Sequence, residues 1–203
     1  SPASRCSHAS GTSTLIVGAA GTGKSTLAAQ FVAAAAARGQ KAAMYVFDES
    51  PTTLMTRAAS LHIDLASGLE RSLITIRQVD PAELSPGELT HLLRNAVERE
   101  GTALIVIDSL NGYLNAMPEE RFLAIQLHEL LTYLAQRNVA TVLVAAHSGL
   151  IGSQMQSPVD ASYLADAVVL LRYFEARGEV RQALSVMKKR GSRHERTIRE
   201  FGL

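Results

Sequence analysis

The sequence predicts an α/β fold: a mostly parallel, twisted sheet with helices on both faces and a C-terminal β-hairpin. Three observations carry that expectation. Short apolar runs alternate with longer stretches of helical period, the pattern of strands joined by crossover helices. Several runs are apolar at nearly every position, as strands covered on both faces are. After Asp166 the rhythm changes to two alternating segments around one tight turn. At 203 residues the chain has the length of one domain, and 47% hydrophobic with 19% charged residues excludes a disordered or fibrous chain.

In chain order, residues 14–17 form the first predicted strand and a helix over 24–38 follows. Ala33 to Ala37 favour helix and allow close packing, and Gly39 supplies the stop. A second strand spans 41–47. Ser50-Pro51 and Ser85-Pro86 each set a capping hydroxyl before a proline at the first helical position, so helices start there on either side of a strand at 73–79. A strand at 103–107 precedes a helix opened by Pro118 and running to about Asn138. The apolar side of that helix reads as Phe122, Ile125, Leu127, Leu130, Leu131 and Leu134. Residues 139–145 make the next strand. The hairpin strands, 168–175 and 180–188, flank Ala176-Arg177-Gly178-Glu179, and a short strand at 197–201 comes last.

Residues 1–11 lack periodicity and read as a flexible lead-in to one domain over 12–203, which looks cut from something longer. No stretch approaches the ~20 apolar residues that span a bilayer, and no signal-peptide core opens the sequence. The single Cys6 cannot form an internal disulfide, so a cytoplasmic setting without a membrane is expected. The net charge of +1 hides an asymmetry: residues 172–203 hold nine basic and four acidic side chains, which leaves a surplus of −4 on residues 1–171.

The sharpest signal is Gly18-Ala19-Ala20-Gly21-Thr22-Gly23-Lys24-Ser25-Thr26, which matches G-x-x-x-x-G-K-[ST] between a strand and a helix. Glycines let successive backbone N–H groups converge on an anion, and the helix adds its positive N-terminal end. Lys24 supplies a point charge for β- and γ-phosphates, and the Ser25 hydroxyl can hold Mg²⁺. Leu104-Ile105-Val106-Ile107-Asp108 is an apolar strand ending in an acid at the sheet edge where α/β ligands bind, so Asp108 is the second candidate for Mg²⁺. Met44-Tyr45-Val46-Phe47 ends in Asp48-Glu49. A nucleotide hydrolase needs a carboxylate to orient the attacking water, and Glu49 is preferred over Asp48. Asp48, Glu49 and Ser50 could instead simply cap the helix at Pro51.

Four segments together resemble the KaiC-like branch of the RecA/RadA ATPases. They are the loop 18–26, Phe47-Asp48-Glu49-Ser50, Ile107-Asp108-Ser109-Leu110, and Val186-Met187-Lys188-Lys189-Arg190-Gly191-Ser192-Arg193-His194. Tyr163-Leu164-Ala165-Asp166 and Ile198-Arg199-Glu200-Phe201 are similar to the same family, and the likeness covers about residues 12–203. The resemblance implies a RecA-like P-loop core with ATP and Mg²⁺ bound between the subunits of a ring, usually a hexamer, and with regulatory protein partners. It implies catalytic roles for Asp48, Glu49 and Lys24, although the family usually has glutamate at the Asp48 position. It also implies that Lys188, Arg190, Gly191 and Ser192 reach a neighbour's nucleotide, Lys188 and Arg190 acting on the γ-phosphate. Part of the family phosphorylates itself on a Ser-Thr pair, where this chain has Ser162-Tyr163.

The expected function is Mg²⁺-dependent ATP hydrolysis of a signalling or clock type, with autokinase activity at Ser162 a further expectation. The alternative is a RadA/RecA-like recombination ATPase that binds single-stranded DNA. The two segments that would face DNA in a ring, about 111–120 and 148–162, contain no Lys or Arg, and none follows before residue 172, which argues against a polyphosphate strand. His128-Glu129 lacks the second histidine of a zincin, and Ala146-His147-Ser148-Gly149 is no nucleophile elbow.

Overall fold

The computed structural model describes residues 11–80, 85–115, 123–146, 164–190, 195 and 197–202. Within them the chain runs β1 Ser13–Gly18, α1 Lys24–Ala37, β2 Ala42–Val46, α2 Pro51–Ser60, α3 Ala66–Glu70, β3 Ile74–Gln78 and α4 Pro86–Glu98. It continues with β4 Leu104–Asp108, α5 Leu110–Asn115, α6 Leu123–Gln136, β5 Ala140–Ala146, β6 Ala167–Ala176, β7 Glu179–Lys189 and β8 Ile198–Phe201. The strands form one sheet in the order β3-β2-β4-β5-β1-β6-β7-β8. The first six strands in this order make five parallel pairings, and only β6–β7 and β7–β8 are antiparallel.

The capping signals act as expected. Ser50 Oγ accepts from Thr53 N at the start of α2, and Ser85 with Glu88 closes a reciprocal box at the start of α4. The β6–β7 connection has positive φ at both Arg177 and Gly178, the twist-matched geometry of a two-residue hairpin turn.

The period-two alternation of β2 and β4 divides the core into two layers. Tyr45, Ile105 and Ile107 join Leu93 of α4 and Leu127, Leu131 and Leu134 of α6 on one face. Met44, Val46 and Val106 face Ala28, Ala29 and Val32 of α1 and Leu54 of α2 on the other. Small alanines let α1 lie close to the sheet.

Two expectations need correcting. Ile125 is 55% exposed, so it does not belong to the apolar side of α6. Its Cα lies about 200° around the helix from Leu127, while Leu127, Leu130, Leu131 and Leu134 follow the inward 3–4 spacing. The short helices α3 and α5 were not anticipated, being only five and six residues long. Of the helix expected from Pro118, residues 118–122 lie outside the described residues, as does the lead-in up to residue 10.

Candidate nucleotide site

The phosphate loop leaves β1 at Gly18 and returns as α1 at Lys24. Gly18 is required by crowding: a Cβ there would sit 2.5 Å from the carbonyl oxygen of Leu171 on the adjoining β6. Gly23 is required by conformation, with φ 89°. As the N-cap it offers no side chain to the first-turn N–H groups of α1, which leaves them to a bound anion. Thr22 is buried, and its hydroxyl donates to Ala19 O at 2.8 Å, bracing the loop from inside. The Lys24 ammonium donates to the same carbonyl at 2.7 Å. Burial pulls the Lys24 pKa down, and the negative charge of Asp108 works against that.

The strand register brings the acids to this loop. Val46 pairs with Asp108, Asp108 with Val144 and Gly18 with Ala146, so the ends of β2, β4, β5 and β1 share one edge of the sheet. Asn111 fixes that edge, its side chain exchanging hydrogen bonds with the backbone of Ala146. Asp108 is buried and its Oδ2 has no hydrogen-bond partner. Burial raises its pKa above the ordinary carboxylate value. A hydrogen bond from Ser25 opposes the shift, the charges of Glu49 and Asp48 add to it, and Arg57 opposes it.

An orphaned buried carboxylate oxygen beside a serine hydroxyl is a donor set of hard oxygens, and it fits Mg²⁺. Ser25 and Asp108 would hold the ion, which when bound neutralises phosphate charge. Among the described residues no group of three or more His, Cys, Asp or Glu is gathered to hold a metal, so phosphate and water oxygens would complete the shell.

The two acids after β2 differ in setting. Asp48 is exposed and accepts the Ser109 hydroxyl, whose oxygen also takes the Gly112 N–H. Glu49 is half-buried and held by both arms of Arg57, at 2.8 and 2.7 Å. Sequence reasoning missed Arg57. It lies eight residues after Glu49, on the helix that the Ser50 cap begins, a spacing that by itself does not signal a contact.

A model of the family described as "ATPase: KaiC" matches residues 8–203. The chain belongs to the KaiC ATPase family. It is 28% identical over 187 residues to the circadian clock oscillator protein KaiC of Synechococcus elongatus, covering 92% of this chain and 36% of that protein. It is 27% identical over 187 residues to the protein of the same name from Prochlorococcus marinus, covering 92% of this chain and 37% of that protein. A circadian clock protein of Synechocystis sp. is 24% identical over 189 residues, 93% of this chain and 37% of its own. The chain thus spans little more than a third of the length of these relatives.

The phosphate loop, Asp48, Glu49 and Asp108 gather at one edge of the sheet of this KaiC-family domain. Lys188 and Arg190 do not. β7 runs antiparallel to β6, so Lys188 pairs with Val168 and Arg190 N donates to Asp166 O at 2.7 Å. Asp166 N in turn donates to Ser13 O, level with the start of β1. Five residues of strand, about 16 Å, separate that level from Gly18. Arg190 is 57% exposed, with its guanidinium 3.9 Å from Asp166. Gly191, Ser192, His147, Ser148 and Ser162 lie outside the described residues, as do most of the segments expected to face DNA. The described residues also bring an unexpected pair to the loop: Gln182 Nε2 donates to Gly21 O at 3.3 Å, and the Tyr173 hydroxyl lies beside Gly21. Among the described residues, no helix is long and apolar enough to cross a membrane.

Proposed function

We propose that this KaiC-family domain hydrolyses Mg²⁺-ATP at sites shared between adjacent copies in a ring. Glu49 orients the attacking water, Lys24 and the loop amides hold the phosphates, and a neighbour's Lys188 and Arg190 face the γ-phosphate. The observation that carries the reading is the antiparallel course of β7. It sets Arg190 level with the start of β1 and Lys188 level with Leu15, two strands over, both beyond a side chain's reach of their own phosphate loop. A basic strand end that cannot serve its own acidic site can serve the next one, and a cation delivered in this way is worth about 10³–10⁵ in rate. The uneven charge of the chain supports the same arrangement, with a basic surplus on residues 172–203 and an acidic one before it. So do Val180, Met187 and Ile198, large apolar side chains left exposed on β7 and β8.

The names of the relatives, circadian clock proteins, favour a regulatory role in which slow turnover drives a change of state. Among the described residues of α5 no cation is present for DNA, which leaves recombination the weaker reading. Native mass with and without ATP and Mg²⁺ tests assembly: a nucleotide-dependent ring supports the proposal and a strict monomer refutes it. Arg190→Ala is expected to keep ATP binding and to lose about 10³-fold or more of turnover. Mixing Arg190→Ala with Glu49→Gln subunits should restore part of the activity, because some interfaces then join two intact halves.

A further inference from the structure

The Glu49–Arg57 pair is left unexplained by hydrolysis as such. Arg57 stands in the last turn of α2, a helix fixed to the sheet by buried Leu54 and Ala58 and capped by Ser50 next to Glu49. Its guanidinium meets Glu49 in a two-pronged contact, Nη1 to Oε2 and Nη2 to Oε1, with side chains 34% and 18% exposed. Both carboxylate oxygens are therefore committed to one cation carried on a rigid element. The other acids of the site are held differently, Asp48 by the Ser109 hydroxyl and Asp108 by the Ser25 hydroxyl. A hydroxyl can turn away at little cost. A forked guanidinium contact is charge-assisted, geometrically specific and harder to open.

We propose that Arg57 is a latch on Glu49 that sets the turnover rate of the site. The inference rests on the reading of Glu49 as the group that receives the proton. In that step the water oxygen bonds to the γ-phosphorus, a water proton passes to a Glu49 oxygen, and the β–γ bridging oxygen leaves on ADP. While the fork is closed, both oxygens point their lone pairs at Arg57, and neither is free to face the attacking water. Chemistry then waits for one prong to open. Arg57 acts through Glu49 and is a positioning residue: the latch alters the rate of the chemical step and leaves the phosphate loop, and hence ATP affinity, untouched.

Steady-state ATP hydrolysis of the full chain with Mg²⁺ tests this. Arg57→Met keeps the aliphatic stem and removes the fork. It is expected to raise kcat about 3- to 10-fold with KM unchanged, the scale of a partly exposed forked pair. Arg57→Lys, which retains charge but not the fork, should fall between Arg57→Met and the native chain, and it serves as the test variant if circular dichroism finds Arg57→Met unfolded. A kcat that is unchanged or lower in the folded variants overturns the latch. Glu49→Gln separates the two layers of the inference. If Glu49→Gln retains turnover, Glu49 is not the acceptor and the underlying reading fails. If Glu49→Gln is inactive and Arg57→Met is no faster than the native chain, the latch alone fails. The double variant should be as slow as Glu49→Gln, and a gain in kcat from Arg57→Met in that background would overturn an action through Glu49.

Discussion

Asp108→Asn is expected to make the nucleotide-free domain more stable while removing its Mg²⁺-dependent turnover. The buried carboxylate has one oxygen without a partner, and its pKa is raised above the ordinary value of 3.8, chiefly by burial. A raised acid pKa means that the folded state holds the proton more readily than the unfolded chain does. The contribution of Asp108 to stability is therefore greatest below pH 3.8 and is lost as pH rises through the folded-state value. Above the folded-state value the native chain carries a buried charge that the variant lacks. Asparagine keeps an oxygen for the Ser25 hydroxyl, and its amide N–H groups are suited to the negative surroundings made by Asp48 and Glu49. An unsatisfied buried polar group costs about 1–3 kcal/mol, so we expect a gain of about 1–2 kcal/mol. For a domain of this size that is about 2–8 °C in Tm. The assay is thermal unfolding from pH 4 to 8 without metal or nucleotide, repeated with Mg²⁺-ATP, which should raise the native chain far more than the variant. A variant that melts below the native chain at pH 7, or a Tm difference that does not widen from pH 4 to pH 7, would refute the reasoning.

Two further outcomes follow from the loop. Lys24→Ala should weaken ATP binding about 100-fold or more, read by calorimetry, because it removes the buried ammonium next to Ala19 O. Gly18→Ala should lower stability by about 1–3 kcal/mol in denaturant titrations, because the new Cβ meets a backbone carbonyl of β6 at 2.5 Å and cannot be relieved by a rotamer change.

The sheet, its two helical layers and the phosphate loop were legible because each rests on a local pattern. Ser50-Pro51, Ser85-Pro86 and Arg177-Gly178 report their own backbone, and the apolar run at 104–107 could only be a strand covered on both faces. The gathering of Asp108 with Ser25 was inferable from strand ends alone, since parallel strands deliver their C-terminal residues to one edge. What was not legible depends on side chains meeting across space. Nothing in the residues around Arg57 says that its fork closes on Glu49, because charged pairs at such spacing usually point into solvent. Gln182 and Tyr173 reach Gly21 only because β6 extends beyond the end of β1, a register between strands that alternation does not set. Ile125 was misread for the opposite reason: an apolar residue near a helical stripe need not lie on it.

β7 is a rod of eleven residues, about 37 Å long. One end, through Gln182, holds the rim of its own phosphate loop, and the other carries Lys188 and leads into Arg190. Strands held in a sheet barely compress. In a ring of the proposed kind, this one strand would join the rim of one phosphate loop to the cations offered to the site next door. Each copy would then listen at one end and speak at the other, which gives the circle a direction.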